Sequence, residues 1–143
     1  MILDNLLKFS DAQALTATAV STNVVDLSSD RDIGIGEPMA LVVSVGVAAD
    51  FTTGDETYQV TLQTSTDEAF TSPITVVASA AINGDELPAG ATIVLPIGFD
   101  NKQYLRVNYT LAGTTPTATV DAFLQPLSMI DGSRDYANGY TIV

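Results

Sequence analysis

The chain contains no cysteine, no histidine and no tryptophan. Without cysteine there is no disulfide framework and no thiolate metal site, although that absence does not fix a redox compartment. Without histidine the usual general base and the commonest zinc ligand are missing, and a Ser-His-Asp triad is impossible. Carboxylate pairs and an oxygen-ligand cation site remain chemically open. Without tryptophan the largest aromatic platform for a sugar ring is gone.

Positive charge is equally scarce. Lys8, Arg31, Lys102, Arg106 and Arg134 are the only cations against 17 acids, for a net charge of −12. They form no run, so neither phosphate backbones nor an anionic membrane surface is an expected partner. The acidity favours solubility of a protein displayed in many copies. No apolar stretch approaches the ~20 residues of a membrane span. Ile2, Leu3, Leu6 and Leu7 are interrupted by Asp4 and Asn5, with no cationic start and no small-residue cleavage site, so the N-terminus does not read as a signal peptide.

What is present is a period of two, the pattern of half-buried strands. At 143 residues one domain with a substantial core is expected. Strand segments are read at 15–20, 23–27, 39–47, 57–64, 74–80, 91–97, 104–109 and 120–127. Tyr58, Val60 and Leu62 share one face of the clearest of them; in another, Leu105, Val107 and Tyr109 oppose Tyr104, Arg106 and Asn108. Turn residues fill the connections, as in Asn83-Gly84-Asp85 and Pro88-Ala89-Gly90. Helical turns are expected only near residues 1–9 and 66–70. About eight strands without a helical stripe predict an all-β, two-sheet antiparallel sandwich, most simply a jelly roll, with a plain Greek key as the other option. Residues 15–127 form this β-sandwich. Residues 1–14 and 128–143 do not alternate yet carry large apolar groups, and read as an N-terminal and a C-terminal arm.

Few residues suggest chemistry. The acids Asp50, Asp55, Glu56, Asp85 and Glu86 match no calcium-loop spacing and read as turn residues. Gly34-Ile35-Gly36 lacks the third glycine and the following helix of a dinucleotide loop, and reads as a tight turn entering a strand. Asn108-Tyr109-Thr110 is a glycosylation sequon in spelling only. No catalytic residue, metal site or cofactor is expected. Arg106, in a strand, calls for a carboxylate partner or an inter-subunit contact. The apolar arm residues Leu3, Leu6, Leu7, Phe9, Tyr136 and Tyr140 either pack on their own sandwich or contact a partner, Arg31-Asp32 reads as a structural ion pair or an inter-subunit contact, and Arg134 joins the charges expected at a contact. Open sheet edges with few lysines to guard them favour self-association, a homodimer first and a trimer second.

Four runs carry a family likeness: Leu7-Lys8-Phe9-Ser10-Asp11-Ala12-Gln13-Ala14, Arg31-Asp32-Ile33-Gly34-Ile35-Gly36-Glu37-Pro38, Tyr104-Leu105-Arg106-Val107-Asn108-Tyr109 and Tyr136-Ala137-Asn138-Gly139-Tyr140. In this order they resemble the capsid cement (decoration) proteins of tailed bacteriophages, of the kind on Bordetella phage heads. Between Ala48 and Gly98 only the strand rhythm is shared, and nothing is transferred there. The resemblance implies a non-enzymatic jelly roll on the outer surface of the virion, made in the bacterial cytoplasm. It implies a small oligomer that bridges subunits of the major capsid protein. The alternative is a carbohydrate- or host-surface-binding module of a phage particle.

Overall fold

The computed structural model describes residues 4–99 and 101–130. Ten strands appear in chain order: β1 (Lys8–Leu15), β2 (Ala19–Val20), β3 (Val25–Asp26), β4 (Met39–Val47), β5 (Thr57–Ser65), β6 (Ile74–Ala78), β7 (Ile82–Asn83), β8 (Thr92–Pro96), β9 (Tyr104–Ala112) and β10 (Ala118–Pro126). Among the described residues helix is confined to three 3-10 turns, Asn5–Leu7, Gly84–Glu86 and Leu127–Met129, and no helix is long and apolar enough to cross a membrane.

The strands form two antiparallel sheets. One has the order β1-β10-β4-β8; the other has β2-β9-β5-β6, with β3 also on β9 and β7 also on β5. Counting β2 with β3 and β6 with β7 as single interrupted passes leaves eight passes. Their orders are then 1-8-3-6 and 2-7-4-5. Every first-and-last pair is thus hydrogen-bonded, as in one long hairpin rolled up, which is the jelly roll.

Alternation decides what lies between the sheets. From β4 come Leu41, Val43 and Val45; from β10, Val120, Ala122 and Leu124; from β5, Val60 and Leu62; from β9, Leu105, Val107 and Tyr109. Each fully buried Val or Leu contributes about 1.5–3 kcal/mol. One polar chain crosses this core. The Ser10 hydroxyl donates to Gln13 Oε1 at 2.7 Å, so its oxygen is left to accept from the Tyr109 hydroxyl, also at 2.7 Å. Burial raises the pKa of Tyr109 and keeps it a donor. Gln13 Oε1 also accepts from the Thr22 N–H, and its Nε2 donates to Val20 O. The network fastens β1 to β9 across the sandwich.

Strand β1 corrects the expected arm boundary. Residues 8–14 are sheet, not arm. Their period is broken because the pairing with β10 shifts between Lys8 and Ser10 and again before Gln13, with Ala12 at a positive φ of 45°. The expected strand at 15–20 is likewise split, with residues 16–18 forming a bend. The sheet edges are blunted by these bulges in β1, by Pro96 in β8 and by the shortness of β2, β3, β6 and β7. Edge pairing therefore offers less drive to self-association than the sequence suggests.

The loops at one end are tied by their own acids. Glu56 is fully buried. It accepts from the Thr53 hydroxyl, the Thr53 N–H and the Gly54 N–H. Asp55 shares the single Thr53 hydroxyl proton with Glu56 and accepts from the backbone N–H and hydroxyl of Thr114. The Thr53 hydroxyl is the main cause that lowers both pKa values below their ordinary 3.8 and 4.5. Carboxylates with lowered folded pKa values add stability above their unfolded pKa and lose it as pH falls through the folded one. Melting temperature is therefore expected to drop below about pH 4.5, and Glu56→Gln to flatten that acid limb in a calorimetric pH series.

Two substitutions probe the frame. At Gly84 an added Cβ would lie 2.1 Å from the Asp50 carbonyl oxygen. Gly84→Ala is expected to cost about 2 kcal/mol or more, read as a fall of about 4 °C or more in melting temperature. Tyr109→Phe removes the donor to Ser10 and is expected to cost about 1 kcal/mol in urea unfolding.

Candidate functional site

The two ends of the sandwich differ in chemistry. The first end gathers the starts of β4, β6 and β9 with the ends of β5, β8 and β10. Met39 opposes Pro126, Thr64 opposes Ile74, and Ser65 opposes Tyr104. The Ile97 N–H donates to Met39 O, and the Leu127 N–H donates to Pro38 O. The 3-10 turns at Asn5–Leu7 and Leu127–Met129 lie at this end too, so the chain enters and leaves the sandwich here.

Large apolar side chains are exposed at this end. Leu6 is 81% exposed, Ile35 78% and Phe99 70%, with Ile74 and Met129 about half exposed. Val24 lines a groove beside Leu6, and among the described residues the other exposed large apolar groups, Val20 and Val47, sit singly elsewhere. Isolated exposed apolar residues are ordinary, but several sharing one end make it the candidate contact surface. The opposite end carries Asp50, Asp55, Glu56, Asp85 and Glu86 among threonines and glycines. There the Tyr58 hydroxyl donates to Asp50 O at 2.9 Å or Thr117 O at 3.1 Å, and accepts from the Thr117 N–H. Among the described residues no three carboxylates converge as a cation cage.

The loop from Ser28 to Pro38 is shaped to present Ile35. Gly34 and Gly36 adopt φ values of +89° and +88°, which L side chains rarely take. The reading of this GxG as a turn into a strand holds, since β4 follows at Met39. Asp32 anchors the loop, its Oδ1 accepting from the Asn101 N–H at 3.0 Å. Arg31 is exposed and reaches the Ser29 hydroxyl at 3.2 Å. Ser128 donates to Glu37 at 2.5 Å, fixing the end of β10 to the same loop.

The residues expected to make contacts separate in space. Leu6 projects into solvent, while Leu7 is half-buried against the core. Phe9 is a correction: it is fully buried in the core and presents nothing to a partner. Arg31 and Asp32 lie at the apolar end. Leu3, Arg134, Tyr136 and Tyr140 lie outside the described residues. Ile35 and Phe99 were not anticipated, although a large apolar residue inside Gly-Ile-Gly or Gly-Phe-Asp turn chemistry is itself a signal.

Arg106 has a different partner from the carboxylate expected. Its Nε donates to Gln63 Oε1 at 2.8 Å, and its guanidinium sits 4.3 Å from the centre of the Phe70 ring. Burial lowers its pKa without discharging it. An amide and a π-face thus take the place of an ion pair on the outer face of the second sheet. Among the described residues one ion pair is formed at short range, Lys8 to Asp11 at 2.8 Å, and it is local.

No curated protein matches the chain. Residues 9–124, from the first core residue of β1 to the last core residue of β10, match the model of the family described as Bbp16. The chain belongs to the Bbp16 family, whose name suggests a Bordetella phage protein.

Proposed function

We propose that this protein is a structural virion component, a cement protein that binds the outside of the icosahedral phage head through its apolar end. The observation that carries this reading is the set of exposed side chains Leu6, Ile35, Phe99 and Met129 around the point where the chain enters and leaves. The Bbp16 membership supports a phage setting. The partners are the major capsid protein and a second copy of the chain. The protein works by binding alone.

The physical logic follows from the shape. Phe99 and Ile35 project from loops anchored by Asp32 and Asn101, so little conformational freedom is lost on docking. Burying one of them supplies about 1.5–3 kcal/mol, and apolar contacts are insensitive to salt. An oligomer that touches two capsid subunits gains avidity of roughly 10² to 10⁴ from the second contact. Binding to the assembled lattice alone stabilises that lattice by mass action, about 2.7 kcal/mol per site at a hundredfold excess over Kd. The acidic far end then faces solvent and keeps particles apart.

Heads lacking the protein are expected to bind it back from solution. Phe99→Asp or Ile35→Asp is expected to weaken that binding about tenfold to a hundredfold, and Asp85→Asn at the far end to leave it unchanged, as read by occupancy after gradient sedimentation. Decorated heads are expected to retain DNA at temperatures that empty undecorated ones. Wild-type occupancy of both apolar variants removes this end as the contact. Equal DNA release with and without the protein removes the cement role and favours attachment to a host surface.

A further inference from the structure

The outer face of the β5–β9 ladder carries a single charge. Strand alternation sends Tyr58, Val60 and Leu62 of β5 and Leu105, Val107 and Tyr109 of β9 into the sandwich. The alternate residues turn outward, where Gln63 opposes Arg106, Thr61 opposes Asn108 and Gln59 opposes Thr110. Thr57 opposes Ala112 at one end of this row, and Ser65 opposes Tyr104 at the other. In a chain with 17 acids, none stands on this face of the ladder. Amides and hydroxyls make up nearly all of it. Asp26 borders the row beside Tyr104, where it is engaged by the Ser28 N–H and the Gln103 amide.

Arg106 is held in place and yet not neutralised. Gln63 Oε1 takes its Nε–H, and its guanidinium sits over the Phe70 ring. Asp67 ties the Phe70 loop by accepting from the Ala69 and Thr71 N–H groups. Among the described residues no ion pair engages Arg106, and its two terminal NH2 groups have no partner. The neighbouring amides are pinned in the same way. Gln59 Nε2 donates to Ser79 O at 2.9 Å, and Asn108 Nδ2 donates to Thr110 Oγ1 at 3.1 Å. The groups left open are therefore the Arg106 fork, Gln63 Nε2, Asn108 Oδ1 and Gln59 Oε1. A fork of N–H donors is the complement of a carboxylate. A row of amide donors and acceptors is the complement of hydroxyls, which both donate and accept. Side chains already immobilised lose little freedom when a ligand arrives.

We propose that this face binds an oligosaccharide that carries a carboxylate. Arg106 takes the carboxylate through its terminal NH2 groups. Gln63 Nε2 donates to a sugar oxygen, and Asn108 Oδ1 and Gln59 Oε1 accept from sugar hydroxyls. Outward residues follow one another about every 7 Å along a strand. The row from Arg106 to Gln59 therefore spans about 14 Å and calls for more than one sugar unit. A protein partner is the poorer match, because protein interfaces have an apolar centre. The outward residues of this ladder include no aliphatic side chain larger than alanine. The one unpaired cation of the row also sets the sign of the ligand, since nothing on the ladder face competes for it. The site uses none of the apolar side chains assigned to the capsid, so it stands or falls independently of that reading.

Solution NMR on the full chain tests this, following the Arg106 Nε–H and the Gln63 side-chain amide. The acidic probes are trigalacturonate and sialyllactose. Their neutral counterparts are galactotriose and lactose, and acetate serves as a bare carboxylate. At least one acidic probe is expected to shift the Arg106 and Gln63 signals saturably, with its neutral counterpart and acetate each binding about tenfold or more weakly. Arg106→Gln and Asn108→Asp are each expected to weaken that acidic probe about tenfold or more, and Ile35→Asp at the apolar end to leave it unchanged. Asn108→Asp keeps the guanidinium with its Gln63 and Phe70 contacts, so it carries the test if Arg106→Gln does not fold. Absence of shifts with both acidic probes up to tens of millimolar overturns the proposal. Acetate binding as tightly as the acidic saccharide overturns it too, since the contact is then with an adventitious ion only. Equal binding of the neutral counterpart, or unchanged acid binding in the folded variants, overturns it as well.

Discussion

The structure depends on the fixed parity of antiparallel strands. Once Leu41, Val43 and Val45 face Val60, Leu62 and Val107 across the sandwich, every intervening side chain has its side chosen. Slipping β4 by one residue would send Ala40, Val42 and Ser44 inward and leave one branched apolar side chain where three now stand. The Tyr109–Ser10–Gln13 chain reinforces the chosen register, because only one pairing of β1 brings the Ser10 hydroxyl to the Tyr109 hydroxyl. The same parity places Arg106 outside, where an amide and a ring face satisfy it without a second charge.

The ends of the molecule are freed from that constraint and diverge. At one end carboxylates face backbone N–H groups and threonine hydroxyls, and the loops become self-contained. At the other, glycine turns and an aspartate anchor hold apolar side chains outward instead of folding them in. Exposing Leu6, Ile35 and Phe99 offers nothing to the stability of the free chain, and the proposed function accounts for their placement by what meets that end.

Much of the fold was legible in the sequence. β4 has the residues read from its apolar run, and β5 and β9 alternate as Tyr58-Val60-Leu62 and Leu105-Val107-Tyr109 suggest. β1 was read as an arm because two bulges place Phe9 and Ser10 both inside, and no periodic template survives that. Phe9 was assigned to a contact for the same reason. The candidate surface was less legible. Leu6 shows itself as an apolar residue close behind Asp4 and Asn5, but Ile35 and Phe99 gain significance only when the fold brings their loops to one end. The partner of Arg106 was hidden because Gln63 and Phe70 meet it across a strand pair and a loop that no local spacing encodes.

An even number of antiparallel passes returns the chain to the end from which it set out. β1 and β10 are hydrogen-bonded neighbours, and the chain enters one and leaves the other at the same end. Their ladder therefore has a mechanical direction. Load drawing the two termini apart opens the β1–β10 bonds pair by pair, as a zipper opens. Load drawing both termini together away from the far end acts along the strands, and the bonds between β10 and β4 resist at once in shear. A molecule held by that end is thus strong against being pulled outward and weak against being spread, a difference set by topology and not by the strength of any single contact.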